Sequence, residues 1–127
     1  MKKEKYHIEF MMGSASQSSI WTMINEIDGL TEWFADEVTL EDNIYTFTWD
    51  KEKSSAEILD FKPQTKLRLR WMDEEDPDLY FEFQIHNLEL TGDKTLEITD
   101  FAYPDEKSDA IYLWETQVDV MKRHLGV

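Results

Sequence analysis

The 127-residue sequence contains no cysteine, which excludes disulfides, thiolate nucleophiles and cysteine-ligated metal. Nothing in it approaches the run of about twenty apolar residues that a membrane-spanning helix needs. The basic start, Met1 to Lys5, is followed by no apolar segment of signal-peptide length. Positive charge is scarce: 13 Lys and Arg stand against 28 Asp and Glu, giving a formal net charge of -15. Nucleic acid and anionic membranes would both be repelled without a concentrated basic patch. The one basic cluster is Lys66, Arg68 and Arg70. A serine elbow, a phosphate loop and a nucleotide fingerprint are missing as well. These absences predict a cytoplasmic chain with no nucleic-acid partner and no membrane insertion.

What is present suits a packed core. Hydrophobic residues make up 41% and aromatics 13%, and the length fits one domain over residues 1–127. The stretch from Asp105 to Leu125 carries Ile111, Trp114, Val118, Met121 and Leu125 at helical spacing, with Leu113 and Val120 widening the stripe. Pro104, Asp105 and Glu106 suit its first turn, and Lys122, Arg123 and His124 its carbonyl end before Gly126. Ordering such a helix costs roughly 1 to 2 kcal/mol per residue in backbone entropy, so it needs a surface to dock on.

The preceding hundred residues read as that surface. Tyr6, Ile8 and Phe10 alternate with polar residues as a first strand. Serines 14, 16, 18 and 19 then offer helix caps, and Ile20, Met23, Ile24, Ile27 and Leu30 follow helical spacing. Gly29 is expected to break this helix, with a second, short one over Leu30 to Phe34. Strands follow at Glu37 to Leu40, Ile44 to Trp49, Ala56 to Phe61 and Lys66 to Trp71, and again from Leu79 to Ile85. Antiparallel pairing around the acidic loop Asp73 to Asp78 places Arg68 or Arg70 opposite Glu82 on the solvent face. The apolar phase slips at Leu88 and Leu90, which predicts a bulge near His86 and Asn87. Thr91-Gly92-Asp93 is a hairpin turn, and Leu96, Ile98 and Ala102 continue the inward face. The predicted class is α+β, in the order β, two helices, about six strands and a long helix.

That order resembles the helix-grip fold of the START-like superfamily, in the branch related to the C-terminal domain of the activator of the heat-shock chaperone ATPase. Three passages carry the likeness: Ser14 to Phe34 with Trp21 and Trp33-Phe34, the run Ile58-Leu59-Asp60-Phe61-Lys62-Pro63 leading to Leu67 and Trp71, and Trp114 in the closing helix. Ser54-Ser55-Ala56 stands where the pattern has a glycine, and the acidity is extreme. The resemblance implies a curved antiparallel sheet gripping the C-terminal helix, with a cavity between them. Members of the superfamily bind lipids, sterols, hormones or polyketides, some do cyclase or hydrolase-like chemistry, and others regulate chaperones. Fold alone does not choose among these.

Trp33, Tyr45, Phe47, Trp49, Leu69, Trp71, Phe83, Trp114, Val118 and Met121 are the candidates for a cavity lining, and the same residues would serve a closed core. Asp73 to Asp78 lacks the glycine and terminal glutamate of a calcium loop. His7, His86 and His124 are scattered, so no metal or other cofactor is expected. By the period of Leu96 and Ile98, Asp100 points inward, and near the strand end it is expected to meet solvent or backbone amides. Asp100 with Tyr103 is the sole pair suited to acid–base work, and no catalytic residue is assigned. Three functions remain open: non-catalytic capture of a small hydrophobic ligand, docking of a protein partner on the acidic surface, and an enzyme acting on a bound hydrophobic substrate.

Overall fold

The computed structural model describes residues 2–127. The chain runs β1 (Glu4–Met11), α1 (Gln17–Asn25), α2 (Ile27–Trp33), β2 (Glu37–Glu41), β3 (Ile44–Trp49), β4 (Glu52–Lys62), β5 (Lys66–Trp71), β6 (Phe81–Asn87), β7 (Lys94–Ala102) and α3 (Lys107–Leu125). All seven strands join one antiparallel sheet in the order β1-β7-β6-β5-β4-β3-β2. The class and order expected from the sequence are those observed. The meander from β2 to β7 needs only short loops, and β1 closes against the last strand because the two helices carry the chain to the far edge.

Turn chemistry sets the registers. Asp42 and Asn43 both take positive φ, 51° and 65°, in the two-residue loop between β2 and β3. That conformation matches the twist of paired strands and suits Asp and Asn among non-glycine residues. The β4–β5 loop likewise places Gln64 at φ 67° after Pro63.

Four expectations are corrected. The first helix ends at Asn25, where Glu26 is extended, so Ile27 opens α2 instead of continuing α1. Gly29 lies inside α2, and a Cβ there would sit 2.0 Å from the Thr22 carbonyl oxygen, so it permits the close approach of the two helices. No bulge occurs at His86 and Asn87, since β6 and β7 pair in continuous register from Glu82–Thr99 to Asn87–Lys94. Leu88 and Leu90 belong to the following turn, where Leu88 N–H donates to the Asp93 carbonyl, and Leu90 is fully exposed. The bulge sits instead at Leu59 in β4, between the pairs Ile58–Leu69 and Asp60–Arg68. Finally, Leu113 lies outside the buried stripe of α3, which consists of Trp114, Val118 and Met121.

The core fills the concavity between sheet and helices. Phe47, Leu67, Leu69, Phe83, Leu96 and Ile98 from the strands meet Ile20, Ile24 and Leu30 from α1 and α2, all fully buried. On the convex face Arg68 meets Glu82 at 2.8 Å, as the register expected. The pair is less exposed than a solvent-face reading implies: Glu82 is buried, and the guanidinium lies 4.0 Å from the Tyr80 ring centre.

Candidate functional site

Phe34 is the junction from which the site is built. It caps α2 at its C-terminal end and is buried, with ring centres of Phe47, Trp49 and Trp114 at 4.8, 5.3 and 5.8 Å. Its carbonyl, left over at the helix end, accepts from Trp49 Nε1–H at 2.6 Å and from Gln117 Nε2–H at 3.1 Å. One backbone oxygen thereby ties α2 to β3 and to α3.

Beside this junction lies a cavity of about 380 Å³, walled by Phe34, Trp49, Trp71 and Trp114, with Ala110, Leu113 and Gln117 from α3 and Asp100 from β7. The helix explains the lining. Residues 110, 113, 114 and 117 follow i, i+3, i+4, i+7 spacing, forming a second stripe that shares Trp114 with the core stripe. Trp114 therefore turns one edge to the core and another to the void.

Asp100 stands across the β1–β7 ladder from Tyr6. One carboxylate oxygen accepts the Phe101 backbone N–H at 2.8 Å. The other accepts Trp114 Nε1–H at 3.1 Å and the Tyr6 hydroxyl at 3.4 Å. Burial raises the Asp100 pKa above its ordinary value, while these three donors and the field of Lys3 pull the other way. The Tyr6 hydroxyl is pushed up too, first by burial and then by the Asp100 charge. A smaller cleft of about 140 Å³ shares Asp100 and Trp71 with the cavity and opens toward Lys3, Glu74 and Tyr80.

Of the ten residues the sequence nominated, Trp49, Trp71 and Trp114 line this cavity. Phe47, Leu69, Phe83, Val118 and Met121 are sealed into the core, Tyr45 is buried there with one edge on a separate groove at the β2–β4 side, and Trp33 is buried as well, its Nε1–H donating to the Met23 carbonyl. Tyr45 donates to the Asn25 carbonyl at 2.5 Å, and burial followed by the nearby Glu26 charge pushes its hydroxyl up to about 12. Asp100 is inward, as its period required, but the pair with Tyr103 does not form. Asp100 bonds Tyr6 instead, while the Tyr103 ring lies under Lys3 at 5.5 Å. Phe34, Ala110, Leu113 and Gln117 were not nominated. The i, i+3 step from Trp114 to Gln117 was a readable signal; the half-turn of Phe34 past the end of α2 was not.

A larger groove of about 520 Å³ runs past Leu40, Ile58, Leu59 and Phe61 at the β2–β4 side. Its rim is open, with Leu40, Leu59 and Phe61 43%, 45% and 45% exposed, as Leu113 is at the aromatic cavity. Its carboxylate, Asp60, is already paired with Lys66 at 2.8 Å. Among the described residues no cluster could hold a metal ion, and no helix is long and apolar enough to cross a membrane.

A curved seven-stranded sheet closed by a long C-terminal helix, with a cavity between the two, defines a helix-grip domain. The chain matches the START-like superfamily domain over residues 1–127 and belongs to that superfamily. The protein BfR322 of Bacteroides fragilis is 40% identical, with a TM-score of 0.71 over 98% of this chain and 92% of that one. The Aha1 dimer of Colwellia psychrerythraea shares the fold at 15% identity and TM-score 0.75, over 98% of this chain and 96% of that one. DynU16, from the dynemicin biosynthetic locus, does so at 13% identity and TM-score 0.80, over 99% of this chain and 48% of that one. No curated protein sequence matches the chain.

Proposed function

We propose that this domain captures a small, largely apolar molecule in the cavity between Trp49, Trp71 and Trp114, without transforming it. The observation that carries the reading is a half-enclosed space of about 380 Å³ whose walls are chiefly indole and phenyl rings. Sites of that size and lining are the usual form of small-molecule pockets. START-like domains commonly bind hydrophobic ligands, which supports the same reading. Asp100 holds its three donors in place, a posture suited to orienting a ligand.

The test uses the neutral fluorescent probe phenylnaphthylamine with the wild-type protein and the variant Ala110→Phe. The added ring projects from α3 into the void. Saturable one-to-one binding by the wild type and at least a tenfold loss in the folded variant are the expected results. Absence of saturable binding by the wild type, or undiminished binding by the filled variant, defeats the reading. Native mass spectrometry of gently purified protein, compared with the denatured sample, would identify a ligand class from any mass lost.

A further inference from the structure

Among the described residues Asp100 is the one charged residue lining the aromatic cavity, and its three hydrogen-bond partners are all neutral. Those donors fill three of the roughly four acceptor positions that a carboxylate offers, leaving one on the oxygen bound by Phe101 N–H. Lys3, the cation whose field reaches Asp100, is itself bonded to Glu74 at 3.2 Å. Among the described residues no cationic side chain lines the cavity. The remaining walls, Phe34, Trp49, Trp71 and Trp114, are aromatic, and ring faces carry negative potential that attracts cations.

An entering carboxylate would therefore meet another carboxylate and four aromatic rings, with nothing of opposite charge to receive it. An ammonium group would meet a half-buried carboxylate to which no cation is bonded, among rings able to hold its alkyl substituents. We infer that the cavity selects organic cations: amines with a compact apolar body, whose ammonium group bonds Asp100, in preference to carboxylates or alcohols of the same shape. This rests on the cavity reading above and adds the head group to it. The raised Asp100 pKa agrees, since burial outweighs both the three donors and the field of Lys3 and presses the carboxyl toward its neutral form.

Three probes sharing one ring system separate the possibilities: naphthylethylamine, naphthylethanol and naphthylacetate, each titrated calorimetrically near neutral pH. Salt at about 0.5 M confines the attraction of the net-negative surface to about 4 Å, so that general charge does not mimic a site. The expected order is amine tighter than alcohol by about tenfold or more, with the carboxylate weakest. In Asp100→Asn the gap between amine and alcohol should close to about twofold. Equal binding of the three probes, or an amine advantage that survives in Asp100→Asn, overturns the head-group assignment while the cavity reading stands. If all three probes and phenylnaphthylamine fail to bind, both are overturned. Should Asp100→Asn fail to fold, the wild-type ranking alone decides.

Discussion

At the scale of single residues, the cavity makes two neighbouring aromatics unequal. Phe47 is wholly enclosed and packs edge-on to Phe34 at 4.8 Å, whereas Trp49 turns one side to the void. Removing a large buried aromatic costs about 3 to 5 kcal/mol when the hole cannot collapse. Phe47→Ala should fall in that range in urea denaturation, and Trp49→Ala clearly below it. The Phe34 carbonyl that Trp49 would abandon keeps Gln117 as a donor. Equal losses would mean that the void is closed in solution. Asp100 gives a signed pH effect. Its carboxyl has an ordinary value of 3.8 in the unfolded chain and a raised one in the fold, so the folded state keeps the proton over the window between them. The contribution to stability is thus full below about pH 4 and is lost as pH rises through the folded value. Relative to Asp100→Asn, the wild type should lose stability as pH climbs above about 4. Parallel pH profiles would refute the assignment.

At the scale of elements, local periodicity revealed most of the sheet, because strands with one buried face repeat every two residues and their turns carry Asp, Asn and Pro. The errors came where tertiary contact decides. Gly29 looked like a helix terminator, yet the chain breaks three residues earlier, and the glycine lets α2 lie against the Thr22 carbonyl. Alanine there would force backbone apart, and Gly29→Ala should cost about 1 to 3 kcal/mol despite alanine's better helix propensity. A gain in stability would show that the two helices are not in contact. The Leu59 bulge escaped notice because an extra residue in one strand is defined only by its partner, β5. In α3 the two stripes overlap at Trp114, and only the surrounding elements say which one faces a void. For that reason three of the ten nominated residues line the cavity, while Phe34, which anchors it, continues the i, i+3, i+7 pattern of Ile27 and Leu30 and gives no sign in the sequence of facing a void. The start of α1 is legible and testable: Ser16 Oγ accepts Ser19 N–H at 3.1 Å, so Ser16→Ala should cost about 1 kcal/mol.

For the whole molecule, the excess of 28 acidic over 13 basic side chains is a force acting against compaction. The exposed edge strands show its use: Glu4 and Glu9 on β1, and Glu37 and Glu41 on β2, discourage pairing with a second sheet. Three of the five pairs among the described residues, Lys3–Glu74, His86–Glu97 and His124–Glu32, are exposed or half-exposed, and the two histidines carry charge only when protonated, which leaves Lys66–Asp60 and Arg68–Glu82 to offset little of the repulsion. Salt should therefore stabilise this fold. Raising NaCl from about 0.01 M to about 0.5 M shortens the screening length from about 30 Å to about 4 Å and relieves the long-range repulsion. Relief of about 1 kcal/mol would raise Tm by about 4 °C in a chain of this size, and circular dichroism melts would show it. The same titration distinguishes cavity from surface. A neutral probe held by the rings of Trp49, Trp71 and Trp114 should keep its affinity within about twofold across that range, because apolar burial does not depend on screening. A basic protein partner held by the acidic surface would instead weaken steeply. A rising Tm would show that long-range repulsion opposes this fold, whereas a Tm unmoved by salt would show that the acidic excess does not weigh on its stability.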